Sequence, residues 1–267
     1  MRLLSERLPE IPLVAAFEPG FHESMAPAQQ HYAIPYAWAE EYGVRRYGFH
    51  GASHRYIATR TAELVGRQDL RIISCHLGGS NSLTAIRNGQ SCATTMGMSP
   101  QSGLAQNNRV GDFDPFALPV VMQRSGKTLE QVLHELAEKS GLLGLSGLSG
   151  DVRDLEEAAA AGNERARLAL DVFVAGIRYH LGGLLVELGG VDAIVFTGGI
   201  GENGANIRTG VCAGLGELGI ELDPVANVQA KGECCIHSAA SRTQIWIIPT
   251  NEEIIVARQT RQLLSHA

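Results

Sequence analysis

Little in the 267-residue chain ties it to an oxidising compartment, a membrane or a nucleic acid. Its five cysteines, at 75, 92, 212, 234 and 235, form no C-x-x-C pair and no cysteine–histidine metal spacing. Neither a disulfide framework nor a zinc module is therefore expected, and scattered thiols in odd number suit a reducing cytoplasm. No uninterrupted apolar run approaches the ~20 residues of a membrane span. The first residues, "MRLLSERLPEIP", carry Glu6, Glu10 and two prolines where a signal peptide needs an apolar core. Lysine and arginine (22) are outnumbered by aspartate and glutamate (28), and no local basic stripe offsets the net charge of −6, which argues against a nucleic-acid surface. The expectation is a soluble cytoplasmic protein with ample chain for a buried core.

What the chain does have is glycine, 31 residues of it, gathered at the ends of apolar runs. That placement predicts ligand loops. "IPLVAAFEP" reads as a buried strand over 11–17, stopped by Pro19 and Gly20. "GASHRYIATRTAELVG" is an amphipathic helix ended by Gly66. "RIISCHL", "SLTAIRNG" and "QSCATTMG" read as successive strands with Asn88-Gly89 as a hairpin turn. Two helices are expected over 115–141, a long helical region over 154–190, a buried strand in "VDAIVFTG", a helix in "NIRTGVCAGLGELG", a strand in "TQIWIIPT" and a final helix over 251–266. Hairpins followed by helix–strand–helix units predict an α/β fold.

In "VDAIVFTGGIGENG", Gly199, Gly201 and Gly204 spell G-x-G-x-x-G, and Asp223 follows at roughly the distance of a ribose-binding acid. Read literally, this is a nicotinamide-dependent oxidoreductase. Only 63 residues follow Gly204, too few for the further βαβ units of a dinucleotide fold, so a different phosphate ligand stays open beside it.

Four stretches in order, "YGFHGASHRY", "HLGGSNSLTAIRNGQSCATTMGMSP", "SGLLGLSGLSGDVRDL" and "IVFTGGIGENGANIR", closed by "IPTNEEIIVAR", together resemble the acetate kinase family. The resemblance implies the ribonuclease H-like α/β lobe of the acetate kinase, sugar kinase, Hsp70 and actin superfold. It implies transfer of the ATP γ-phosphoryl group to a short-chain carboxylate, acetate or propionate, giving ADP and an acyl phosphate, with Mg2+ accompanying the ATP, and a homodimer. Within it Glu18, His50 and Arg109 match catalytic positions. His76, Leu77, Gly78, Gly79 and Ser80 match a phosphate-cradling hairpin; Asp151, Val152 and Arg153 match a nucleotide-contacting turn. Gly198, Gly199, Ile200, Gly201, Glu202 and Asn203 match a loop against the adenosine. Phe49 and Pro100 match an acyl pocket, and Glu252, with Glu253 as fallback, matches a magnesium-associated glutamate. Each also has a plain structural reading: Asp151 as a helix N-cap, Glu252 as compensation of a helix dipole, the glycines as tight turns. His54, four residues after His50, shares its helix face, but without H-E-x-x-H a zinc site is not expected.

The chain also departs from the family pattern. Where the family reads F-D-T-A-F-H, this chain has Glu18 and Pro19. The added methylene shifts the carboxylate, and ~1 Å of misplacement can cost ~100-fold in rate. H-L-G-N-G-A-S becomes "HLGGSNS", with Gly79 for asparagine, Ser80 for glycine and Asn81 for alanine. P-L-E-G-L-x-M-G-T-R becomes "PQSGLAQNNR", with Ser102 for glutamate and Gln106, Asn107 and Asn108 for M-G-T. The resemblance further implies that residues 1–20 are the last strand of an otherwise absent N-terminal lobe, that 21–250 form the nucleotide-binding lobe, and that 251–267 cross back toward the absent lobe. A separate polypeptide would then supply that lobe, or this chain would be a non-catalytic nucleotide-binding subunit. In either case apolar surface should stand exposed at 11–17 and along the last helix.

Overall fold

Asn88 and Gly89 both take positive φ (53° and 77°), closing a two-residue turn between β2 (Asn81–Arg87) and β3 (Gln90–Thr94). Asparagine and glycine tolerate that region best. β2 also pairs antiparallel with β1 (Arg71–Leu77), so the first half of the sheet in the computed structural model, which describes residues 2–265, is a meander. β4 (Ala193–Thr197) and β6 (Gln244–Ile247) then add parallel to β1, and β5 (Cys234–Cys235) pairs antiparallel on the far edge. The order is β3-β2-β1-β4-β6-β5.

Strand alternation divides the core into two layers. Ile73, Cys75 and Leu77 of β1 and Ile194 and Phe196 of β4 face the 25-residue helix Glu164–Leu188, which buries Phe173, Ile177, Leu181, Leu184 and Leu188 at three- and four-residue spacing. Ile72, Ala193 and Val195 face the opposite way, onto Ile57 and Ala58 of helix Gly51–Val65, together with Phe21 and Ile248. Gly66 ends that helix in the left-handed conformation, as its sequence predicts.

The two helices expected over 115–141 are Ala117–Ser125 and Leu129–Glu138, the latter with a full Thr128/Gln131 capping box. The long helical region divides at Ala161–Asn163 into Val152–Ala160 and Glu164–Leu188. The last helix spans Glu252–Leu264; position 266 lies outside the described residues.

Two expectations require correction. No strand forms over 11–17, and Ile11 is 54% and Phe17 78% exposed. A strand needs a neighbour for its N–H and C=O groups, and among the described residues none pairs with this segment. The apolar exposure expected there is present and extends to Leu3, Leu4 and Leu8 and to Val256, Leu263 and Leu264 of the last helix. Second, helix Glu164–Leu188 is long and apolar enough, by length and composition, to cross a membrane, with a mean hydropathy of 1.4 in its most apolar window. A search for unbroken apolar runs passes over it because Asp171, Arg178 and His180 interrupt the run. Its buried face is that of a core helix.

Candidate functional site: a nucleotide-sized cleft beside a histidine cluster

β1 and β4 are adjacent and parallel, so their carboxyl ends open at the same edge of the sheet, where ligand sites of such sheets form. Both ends run into glycines. Gly198 has φ of +76°, and a Cβ there would stand 2.7 Å from the Leu77 carbonyl oxygen, so only glycine lets the two strand ends meet. A Cβ on Gly78 would lie 3.8 Å from the Gly199 nitrogen; the two loops approach backbone to backbone.

Between them is a cleft of about 640 Å³. Gly78, Gly79, Asp151, Val152, Arg153, Gly199, Ile200 and Asn203 line it, together with Asn107, Gly150, Glu156 and Gly204. Three separate sequence stretches thus converge on one concavity of the size small ligands occupy. Leu77, Gly198 and Gly201 stand behind the wall: Leu77 is fully buried in the core, and a Cβ on Gly201 would press on Phe196 at 3.3 Å. Glu202 turns back on its own loop, where Oε1 accepts from the Gly198 N–H at 3.1 Å. Arg208, 1% exposed, anchors that loop from beneath, donating to the carbonyls of Gly201 and Glu202 at 2.8 and 2.9 Å and to Asn227 Oδ1 at 2.7 Å.

Asp151 caps helix Val152–Ala160 by accepting from the Arg153 N–H at 2.9 Å, as its plain reading holds. Arg153 folds back on it, with Nη2 2.6 Å from Oδ2, and holds the carboxyl down to about 2. The arginine side chain is 87% exposed and lines the cleft while paired with Asp151. Asp223, the acid required by the dinucleotide fingerprint, instead caps helix Pro224–Gln229, accepting from Val225 and Ala226, and is not part of the cleft wall.

Next to the hairpin end of the cleft, four histidines from three stretches pack together. His50 and His76 stack with ring centroids 4.1 Å apart; His54 meets both edge-on, and His22 meets His54 edge-on. Each ring is pinned by a serine. His76 Nδ1 meets Ser53 Oγ at 2.8 Å, His22 Nδ1 meets Ser91 Oγ at 2.9 Å, and His54 Nδ1 meets Ser74 Oγ at 2.8 Å. Ser82 Oγ bridges His54 Nε2 and His50 Nδ1, both at 2.8 Å. A hydroxyl has one proton, so Ser82 donates to one ring and accepts from the other, and it fixes the two tautomers relative to each other. Burial holds all four rings neutral near pH 7. His22 and His76 fall to about 4 and His54 falls well below its usual value, while His50 falls to about 3, helped by the neighbouring His76, His22 and Arg109.

His50 sits at φ 57°, a left-handed conformation rare for a side chain of its size and one that clusters at functional sites. Arg109 Nη1 donates to Ser80 Oγ at 3.2 Å, which joins the arginine to the hairpin. Phe49 lends its carbonyl to His22 Nε2 at 2.9 Å. The segment carrying Phe49 is bound to the one carrying Pro100 where Tyr47 and Gly48 donate to the Gly97 carbonyl. Glu252, at the start of the last helix, has its carboxyl raised by burial and by the charge of Glu18. Among the described residues no group of three or more histidine, cysteine, aspartate and glutamate side chains gathers to hold a metal.

The sequence reading left His22, Ser53, Ser74, Ser82, Asn107 and Arg208 without roles. Ser53, Ser74, Ser82, Asn107 and Arg208 lie inside stretches it quoted, where their local signal was a polar residue near a matched position; what each of them and His22 touches becomes visible only in three dimensions.

The model of the acetokinase family matches residues 1–258. An acetate kinase from Heliobacterium modesticaldum is 47% identical over 259 residues, which is 96% of this chain and 65% of that protein. One from Dictyoglomus turgidum is 48% identical over 96% of this chain and 64% of its own length. The crystal structure of Porphyromonas gingivalis acetate kinase superposes with a TM-score of 0.94 at 38% identity, covering 98% of this chain and 66% of that one. A propionate kinase from Francisella tularensis gives 0.90 at 36%, over 96% and 66%. The fold is that of the actin, Hsp70 and sugar kinase group. The chain spans about 65% of the length of the curated relatives it matches, and it belongs to the acetokinase family.

Proposed function

We propose that this chain carries the nucleotide half of a carboxylate kinase that transfers the γ-phosphoryl group of ATP to acetate or propionate. The observation that carries the reading is the single cleft on which the 78–79 hairpin, the Asp151/Arg153 turn and the 199–203 loop converge. Arg153 has the planar cation to cover a base, Asp151 accepts from ribose hydroxyls, and glycine backbones let phosphates approach their N–H groups.

At the reacting centre, a carboxylate oxygen bonds to the γ-phosphorus as the bond to the β–γ bridging oxygen breaks and ADP leaves. Negative charge spreads over the equatorial oxygens, and positioned donors stabilise it. Arg109 donates from its guanidinium. His50, neutral at working pH, donates only from a protonated ring nitrogen. With Nδ1 accepting from Ser82, the proton rests on Nε2. Glu18 and Glu252 would hold Mg2+, which when bound with ATP neutralises phosphate charge. Phe49 and Pro100 border the acyl group.

Domain organisation follows the same reading. Residues 21–250 form the nucleotide lobe, and the exposed apolar residues of 3–17 and of the last helix are the seam for a lobe homologous to the part of the relatives this chain does not span. An extension of this polypeptide or a separate subunit supplies that lobe. We assign a homodimer to the outward face of helix Glu164–Leu188, where Leu168, Val172, Tyr179 and Val186 are exposed and Gly182 and Gly183 have open space above them. The free thiols suit the cytoplasm.

Calorimetric titration tests the reading. ATP should bind, with affinity reduced in Arg153→Ala, and NAD should not. Tight NAD binding without ATP binding would sink the kinase assignment.

A further inference from the structure

Asn107 reaches the wall of the cleft from the loop that leads to Arg109. Its backbone is fixed on both sides: its carbonyl accepts from the Leu143 N–H at 2.8 Å, and its own N–H points to the Gly79 carbonyl at 3.5 Å. Gly150, whose Cβ would stand 3.0 Å from that of Asn107, leaves room for it. The side chain has no such anchor. Oδ1 is buried with no hydrogen-bond partner among the described residues. Oδ1 only accepts and is no partner for a phosphate oxygen; the group of this carboxamide that can serve an anion is its Nδ2–H donor, which lies on the Gly79 side.

Its position is the second observation. A Cβ added to Gly79 would lie 3.6 Å from Asn107 Nδ2, so the carboxamide fills the space into which a longer side chain at 79 would extend. The sequence carries the mirror of this. Gly79 stands where the family pattern has asparagine, and Asn107 stands where it has glycine. The other amide in the hairpin, Asn81, is unavailable to a ligand. It is fully buried, accepting from the Gly78 N–H at 2.8 Å and donating to the Ala105 carbonyl at 2.9 Å, and its own N–H is held by Gln106 Oε1.

We infer that Asn107 and Gly79 have exchanged places. Asn107 supplies the side-chain amide of the phosphate loop from across the cleft, its Nδ2–H donating to a nucleotide phosphate oxygen above Gly79. The inference rests on the cleft being a nucleotide site. It makes Asn107 a binding residue in a stretch that departs from the family pattern, where Gln106 already pairs with Asn81.

The test is calorimetric titration with ATP and, separately, adenosine. It uses the parent chain, Asn107→Ala, and the double variant Gly79→Asn/Asn107→Gly, with far-UV circular dichroism to establish that each is folded. Asn107→Ala should weaken ATP about tenfold, the loss of one hydrogen bond to a charged oxygen, and leave adenosine within about twofold. The double variant should bind ATP within about threefold of the parent. Three results would overturn the exchange: ATP binding unchanged in Asn107→Ala, ATP and adenosine weakened equally, or a double variant no tighter than Asn107→Ala. A parent chain that binds neither ligand would overturn the nucleotide reading itself, and the exchange with it.

Discussion

At the scale of residues, the distinguishing feature is a set of imidazoles held neutral by burial and oriented by serines. The consequence for stability has a definite sign. A histidine with a depressed folded pKa takes up a proton more readily once unfolded. Stability is therefore intact above the ordinary histidine value near 6.5 and declines as the pH falls from there toward 4. At pH 5 each of His22, His50 and His76 should cost on the order of 1–2 kcal/mol relative to pH 7. Urea unfolding at pH 7, 6 and 5 should show a midpoint falling steeply across that range. His22→Gln, which keeps a neutral donor and acceptor toward Ser91, should flatten the fall; an unchanged slope would contradict the burial account. Only the His50/His54 pairing on one helix face could be read from the sequence; the meeting of that pair with His76 and His22 depends on a helix start, a strand and a 3-10 turn converging.

At the scale of elements, the site exists because two parallel strands end in glycine at the same edge. This part was legible early: β1, β4 and the 88–89 turn follow from apolar runs stopped by glycine, which is local information. The strand expected at 11–17 failed for the opposite reason. Its pattern was right for a strand, but pairing requires a neighbour, and among the described residues none lies against it. Gly198 tests how far the loop approach matters. Alanine there would sit at a positive φ with its Cβ against the Leu77 carbonyl, so Gly198→Ala should cost on the order of 2 kcal/mol in chemical denaturation and weaken ATP binding together. Gly216→Ala, at a glycine with open space and no positive φ, should be close to neutral. Equal stability of the two variants would mean the strand ends do not constrain the cleft.

At the scale of the whole molecule, a buried sheet core is flanked by exposed apolar residues: Leu3, Leu4, Leu8, Ile11 and Phe17 toward one end of the chain, and Val256, Leu263 and Leu264 toward the other. The outward face of helix Glu164–Leu188 is a second such surface, and sedimentation should find a dimer; a monomer across a hundredfold range of concentration would remove that assignment. Phosphoryl transfer depends on positioning and on charge stabilised away from water, so one side of a cleft supplies much less than half the rate. Glu18 in place of the family aspartate shifts one carboxylate further. The most direct measurement is hydroxamate trapping of acyl phosphate from ATP with acetate or propionate. It is run on the chain alone, then with the part of an acetate kinase relative that the chain does not span, added as a separate polypeptide. The account predicts no turnover alone, turnover with the added lobe, and its loss in His50→Ala and Arg109→Ala. Robust turnover by the chain alone, or turnover with the added lobe that survives both substitutions, would contradict it.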